Sequence, residues 1–199
     1  QSNPQLVREN WPKGLPYPSR ILTGSGVNAK GSGLDLARSV GALIERLDHQ
    51  WNYPRGLPDP RYPGSDRGLN FMNGVGIWVN AEGRRFVDES ASSAAILNAM
   101  LHQPANRAWV VFDSVGRPAL LVAGTDWADP ERVDRLLLNN PRLVHKADSL
   151  AELARKAGWP VETFLETAKR FEAALQEGTD KEFGRFNAAN PPTARVGRP

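Results

Sequence analysis

Two stretches carry the side chains that could do chemistry. The first is residues 76–89, GIWVNAEGRRFVDE, where Arg84 and Arg85 stand within a few positions of Asp88 and Glu89. An arginine and a carboxylate packed around one turn can face a pocket and handle an anion or a proton. The same charges can instead keep an exposed edge strand soluble. The second stretch is residues 48–75, which gathers His49, Gln50, Trp51, Asn52, Tyr53 and Arg55. Hydrogen-bonding and aromatic groups in this mixture line small-molecule pockets, and a loop this long inside a domain is often functional. His49 on its own reads equally as an exposed or structural histidine. A weaker feature is Gly31-Ser32-Gly33 ahead of a helical segment, a turn whose backbone N–H groups can cradle a phosphate. It lacks the G-x-G-x-x-G spacing and the Gly-Lys-Ser/Thr ending of nucleotide loops, so a simple N-cap by Ser32 is the competing reading.

Composition narrows the function classes. The chain has 199 residues, 40% hydrophobic and 24% charged, which is ordinary for a globular protein of one or two domains. It has no cysteine, which excludes disulfides, thiolate metal ligands and cysteine nucleophiles. That fits a reducing compartment, and the expected location is cytoplasmic. No metal site is expected. No apolar run approaches the roughly 20 residues of a membrane span. The net charge of +3 comes without a Lys/Arg block interleaved with aromatics, so nucleic acid is not an expected partner.

The elements that must position these groups can be read from periodicity. Ile77 and Val79, then Phe86 and Val87, read as strand, turn and strand around Asn80-Ala81-Glu82-Gly83. Leu34, Ala37, Val40, Leu43 and Ile44 recur at helical spacing, so a helix is predicted over 32–40, ended by Gly41, with 42–47 turning into a strand. A second helix follows Ser90 or Ser92 and stops before Pro104. Residues 109–113 form a short strand covered on both faces. Asp129 and Pro130 open a third helix reaching about Asn139, and 143–146 read as another strand. Ser149 and Glu152 make a capping box, with Gly158 as the stop. The last helix starts at Pro160 and ends at Gly178. Its stripe of Val161, Phe164, Leu165, Ala168, Phe171 and Leu175 reads as core. The expected fold is α+β, a small mixed or antiparallel sheet with about five packed helices. The two ends, rich in Pro, Asn and Arg, read as linkers.

Several of these segments, in order, resemble one family: the FAD-dependent flavoproteins typified by fumarate reductase, the succinate dehydrogenase flavoprotein subunit and 3-ketosteroid dehydrogenase. GSGLDLARSVGA is similar to the family's T-G-D-G-x-x-M-A…G-A helix. GIWVNAEGRRFVDE resembles its V-N-x-E-G-x-R-F-x-N/D-E hairpin, and AWVVFD the strand that follows. The stretch from ADSLAELARKAGWP to KEFGR resembles the closing helical pair with its G-x-D-x-x-F-x-R ending. The resemblance implies a capping domain over 31–186 that closes on FAD and substrate. Residues 1–30 and 187–199 would be linkers from and back to an FAD-binding domain of the same polypeptide. It places Arg85 and Glu89 on the family's R-F-x-N/D-E positions. Gly31, Ser32 and Gly33 are then candidate FAD contacts, and FAD is the implied cofactor, held mostly by the other domain.

The sequence also departs from the family. Fumarate reductases follow the hairpin with T-T-R-D-K-A-S, whose arginine donates the proton; here Glu89 is followed by Ser90, Ala91, Ser92 and Ser93. The family's Q-x-H-P histidine falls near Gln50 to Pro54, with asparagine or tyrosine in its place. No Glu-x-x-Arg pair stands in 69–75. The expected function is therefore capping of a substrate oxidised or reduced at a carbon–carbon bond beside a carbonyl or carboxyl group, with a ketosteroid-like small molecule favoured. Tyr53, Arg85 and Glu89 are the catalytic candidates, and His49, Trp51, Asn52 and Arg55 the substrate contacts, with Tyr53 able to polarise a carbonyl. For Arg85 and Glu89 a structural ion pair is an equal reading. The rivals are a stand-alone α+β binding module, and a dicarboxylate reductase with its acid relocated to Arg84 or Arg55.

Overall fold

The computed structural model describes residues 2–74 and 76–192, so Gln1, Val75 and the closing segment 193–199 lie outside the described residues. The chain folds as α+β around a two-stranded antiparallel ribbon, β3 (Ile77–Val79) with β4 (Trp109–Val111), in the register Ile77↔Val111 and Val79↔Trp109. Side chains alternate across a strand, and each face of this ribbon is covered. Ile77, Val79 and Val111 pack with Ala154, Trp159, Phe164, Phe171 and Phe186. Those residues come from α5 (Leu150–Ala157), α6 (Val161–Glu177) and the segments beside them. Trp78 faces the other way, onto Val87 and onto Ile96 of α3 (Ser93–Leu101). The cover on both faces expected for residues 109–113 is found.

The helix signals hold because they are local. Ser149 caps α5 by accepting from the Glu152 N–H at 3.2 Å, and Gly158 follows with φ 76°. Ser92, rather than Ser90, caps α3. Asp129 caps α4 (Pro130–Val133), which runs on as a π-helical turn through Leu138. Gly178 closes α6 at φ 68°. Within the α6 stripe Leu165 is exposed, and the buried position is taken by Thr167, whose hydroxyl donates to the Thr163 carbonyl. Helix α2 (Ser32–Ser39) is found, but its N-cap is Gly31 at φ 110°, not Ser32, which already sits in the helix.

Other expectations change. Residues 42–47 form no strand: Gly41 and Arg46 take left-handed φ of 74° and 57°, which breaks extension. Residues 143–146 form no strand: the Leu143 and Val144 N–H groups both donate to the Asn140 carbonyl, which closes a turn over 141–143. The opening segment contains a helix, α1 (Pro4–Glu9), capped by the Asn3 side chain with proline in its first turn. The loop 48–75 carries two strands, β1 (Gly56–Pro58) and β2 (Gly68–Asn73). With β5 (Leu120–Val122) they make a second antiparallel sheet in the order β1-β2-β5. Leu69 of this sheet packs on Trp127, Val133, Leu137 and Leu138. The return strand of the 76–89 hairpin shrinks to one bridge, Val79 with Arg85. The reason is that the Glu89 carboxylate, not a backbone carbonyl, accepts the Trp78 N–H at 3.1 Å.

Candidate functional site

The turn between β3 and the bridge is built by Asn80, whose side-chain oxygen accepts from the Glu82 and Arg84 N–H groups at 2.9 and 3.1 Å. Gly83 sits at φ 73°, and a Cβ there would lie 3.0 Å from Phe164 Cβ, so the turn is held against α6. This brings Arg85 into the interior. Arg85 donates to both oxygens of Glu89 at 2.9 and 2.8 Å and to Asp180 at 2.9 Å. Arg185 reaches Glu89 at 3.3 Å and donates to the Gly74 and Gly76 carbonyls, each at 2.9 Å. All four side chains are at most 5% exposed. The two arginines lie over the Phe171 ring, with Arg85 also over Phe183.

Each charge in this cluster has an opposite neighbour, the condition for burying ions without a large penalty. Burial alone would raise the Asp180 pKa. The Arg85 bond and charge and the Phe183 and Glu182 amides outweigh that and hold it below the usual carboxylate range. For Arg85, burial would lower the pKa, but bonds to Glu89 and Asp180 keep it raised. Burial pushes Arg185 down. Arg85 and Glu89, expected as catalytic candidates, therefore sit in a sealed structural cluster and do not line the main cleft. Arg84 is exposed beside Glu82 and also stands off that cleft.

The cleft itself has a volume of about 1340 Å³ and runs between the opening segment and α2 on one side, and β1, β2, α3 and residues 123–127 on the other. That exceeds the roughly 300–1,000 Å³ of pockets for drug-sized ligands. Trp51, Asn52, Tyr53 and Arg55 line it, as do Gly31, Ser32 and Gly33. Trp51 and Tyr53 stack at 6.0 Å and are 84% and 50% exposed. Asn52 donates to Gln50, and Gln50 anchors the loop to α1 by donating to the Val7 and Asn10 carbonyls at 2.9 and 2.8 Å. Arg55 lies 6.0 Å over the buried Trp78 ring, and among the described residues no carboxylate pairs with it. His49 is turned away: it is exposed, bonded to Arg46 and beside Asp48, and does not line the cleft.

Sequence reasoning missed part of this wall. Arg67, Asn70 and Trp127 line the cleft, and each keeps a buried side-chain atom with no bonded partner: Arg67 Nε, Asn70 Oδ1 and Trp127 Nε1. Walls complete in themselves leave few such atoms. Two donors and an acceptor suit the carbonyl, amide and hydroxyl groups of a ring system or a neighbouring backbone. The Ser32 and Gly33 N–H groups start α2, where a helix leaves its donors spare. These features fit one edge of a flavin nucleotide contact. They are not a whole site, since the glycine-rich turn of a dinucleotide fold does not occur in the sequence. Asp180 and Arg185 were legible only as the acid and base of the G-x-D-x-x-F-x-R ending.

Comparison with known proteins now bears on this geometry. The family model described as "FAD binding domain" matches residues 15–197. The chain belongs to that family. A probable fumarate reductase of Shewanella frigidimarina is 26% identical over 85% of this chain and 26% of its own length. The 3-oxosteroid 1-dehydrogenase of Mycobacterium tuberculosis is 29% identical over 92% of this chain and 35% of its own length. The chain thus spans about a quarter to a third of the relatives it matches. The open conformation of a flavocytochrome c3 fumarate reductase superposes with a TM-score of 0.68 at 22% identity, covering 96% of this chain and 30% of that one. The 3-ketosteroid delta1-dehydrogenase of Sterolibacterium denitrificans, solved with 1,4-androstadiene-3,17-dione, gives 0.61 at 21%, covering 92% and 33%. FAD is the cofactor of this family of oxidoreductases, and the α+β fold is the one these flavoproteins share. No helix among the described residues is long and apolar enough to cross a membrane.

Proposed function

We propose that this chain is the substrate-capping part of an FAD-dependent oxidoreductase whose substrate is changed at a carbon–carbon bond beside a carbonyl group, with a 3-ketosteroid-like molecule favoured. The observation that carries this is the character of the cleft wall. Trp51, Tyr53, Phe71 and Trp78 line it; of the five arginines beside them, Arg20 and Arg61 are paired with carboxylates, while among the described residues Arg55, Arg67 and Arg107 have no carboxylate partner. The aromatic surface with a donor beside it suits an extended apolar ketone. The half-exposed Tyr53 supplies such a donor, and Arg55 can orient the polar end.

FAD supplies the hydride chemistry when bound. This chain's residues bind the substrate, cover it from water, and hold a proton at Tyr53 Oη. Gly31, Ser32 and Gly33 are assigned to one edge of the cofactor. The remaining polypeptide is the partner that covers the exposed apolar side chains of Leu36, Val40 and Leu43.

The test uses the full-length protein. Tyr53→Phe should lower turnover of a 3-ketosteroid with an artificial electron acceptor by about 10²-fold or more, with flavin absorbance per protein unchanged. Equal turnover would remove Tyr53 from the site. Turnover of fumarate, but not the steroid, would move the reading to dicarboxylate reduction. In addition, the isolated chain mixed with FAD and freed of excess should keep no visible absorbance. Stoichiometric flavin would refute the capping assignment.

A further inference from the structure

Arg185, Glu89, Trp78 and Arg55 form one line from the closing turn to the cleft. Arg185 holds the carbonyls of Gly74 and Gly76, each at 2.9 Å, and Glu89 Oε1 holds the Trp78 N–H at 3.1 Å. Together they hold Gly74, which follows β2, and Gly76, which precedes β3. β2 contributes Asn70 and Phe71 to the cleft wall, and Trp78 is the next cleft residue beyond the connection. The Trp78 ring, 2% exposed, lies 6.0 Å from the Arg55 guanidinium, the outer reach of a cation–π attraction. Phe71 N–H donates to the Arg55 carbonyl at 3.1 Å, so β2 holds the Arg55 backbone with its side chain directed toward the Trp78 ring.

We propose that Arg185 is a positioning residue for substrate binding: through the Gly74 and Gly76 carbonyls and Glu89 it sets Trp78, and through Trp78 it aims Arg55 at the polar end of the substrate. The inference rests on the capping function proposed above. The planar fork of Arg185 reaches two carbonyls and a carboxylate at once, which a lysine ammonium on a flexible stem cannot hold with fixed geometry. Loss of the fork leaves the Arg85 bonds to Glu89 and Asp180 intact, so the effect on the cleft separates from collapse of the charge cluster.

The experiment compares Arg185→Lys, Arg55→Met and the double variant in the FAD-loaded full-length protein. Arg185→Lys should raise KM about tenfold with kcat within about twofold, the signature of lost uniform binding. In the Arg55→Met background the same change should move KM by less than about twofold, since residues acting through one another are not additive. An equal rise in both backgrounds, or an unchanged KM, overturns the proposal. If Arg185→Lys does not fold, Trp78→Phe, which leaves the charge cluster intact, should raise KM in the same Arg55-dependent way. Amide hydrogen exchange supplies a readout that needs no turnover. Arg185→Lys should speed exchange in residues 53–58 by about fivefold or more while the 161–177 helix is unchanged. Faster exchange confined to 74–80 would overturn the coupling to Arg55 even if the wild type acts on a different substrate. A wild type without flavin-dependent turnover, combined with coupled exchange, would instead fault the proposed activity.

Discussion

Replacing Arg85 by methionine tests whether the buried charge cluster holds the fold. The Arg85 side chain is 1% exposed, and its partners Glu89 and Asp180 are 2% and 1% exposed. Removing it strips the Glu89 carboxylate to a single cationic contact, Arg185 at 3.3 Å, and leaves Asp180 with the backbone amides of Glu182, Phe183 and Arg185. Breaking a buried pair from one side costs about 3–5 kcal/mol because the remaining charge is neither paired nor solvated. For a domain of this size each kcal/mol moves Tm by about 2–4 °C, so Arg85→Met should lower Tm by about 6–20 °C. Thermal unfolding followed by tryptophan fluorescence measures the Tm shift, and urea unfolding the free energy, with the wild type in parallel. The loss should shrink in acid. In the wild type the Asp180 pKa is depressed, so its stabilisation is present above the unfolded carboxylate value near 4 and fades as pH falls through the folded value. In Arg85→Met the cation that depresses it is gone, and protonation relieves the stranded charge. A loss under about 1 kcal/mol at pH 7, or one that is the same at pH 7 and pH 4, would refute the buried-cluster account.

Three other outcomes are expected. Gly83→Ala should destabilise by about 1–3 kcal/mol, because φ 73° disfavours any Cβ and the new one would press on Phe164 and Trp159; a neutral result in chemical denaturation would mean the turn relaxes freely. Ser149→Ala removes the cap of α5 and should cost about 1 kcal/mol in the same assay, with Ser149→Asp restoring most of it. Phe164→Ala, at a fully buried position between Trp159 and the ribbon, should cost about 3–5 kcal/mol, and an intact Tm would place Phe164 outside the core.

What the sequence determined by itself was local. The caps at Ser92, Asp129 and Ser149, and the glycine stops at Gly158 and Gly178, are each satisfied by backbone groups within a few residues, so spacing alone reveals them. The apolar, β-prone residues of β3 and β4 were legible for the same reason, and so was the family, whose hairpin and closing motif are contiguous strings. Only the tertiary structure decided which charges are sealed and which face the cleft. Arg85 meets Asp180 across 95 positions, and Arg185 meets Gly76 across 109; no periodicity encodes either contact. The charge-dense hairpin read as solvated edge or pocket wall; Arg84 and Glu82 are solvated, whereas Arg85 and Glu89 are sealed, because the closing turn after α6 brings the opposite charge that lets them be buried. β2 and β5 stayed hidden because their pairing, Phe71 with Val122, joins segments whose own residues are short and mixed in propensity. His49 and Tyr53 lie four positions apart in one loop; only the course of that loop, pinned by Gln50 onto α1, turns one to solvent and the other to the cleft.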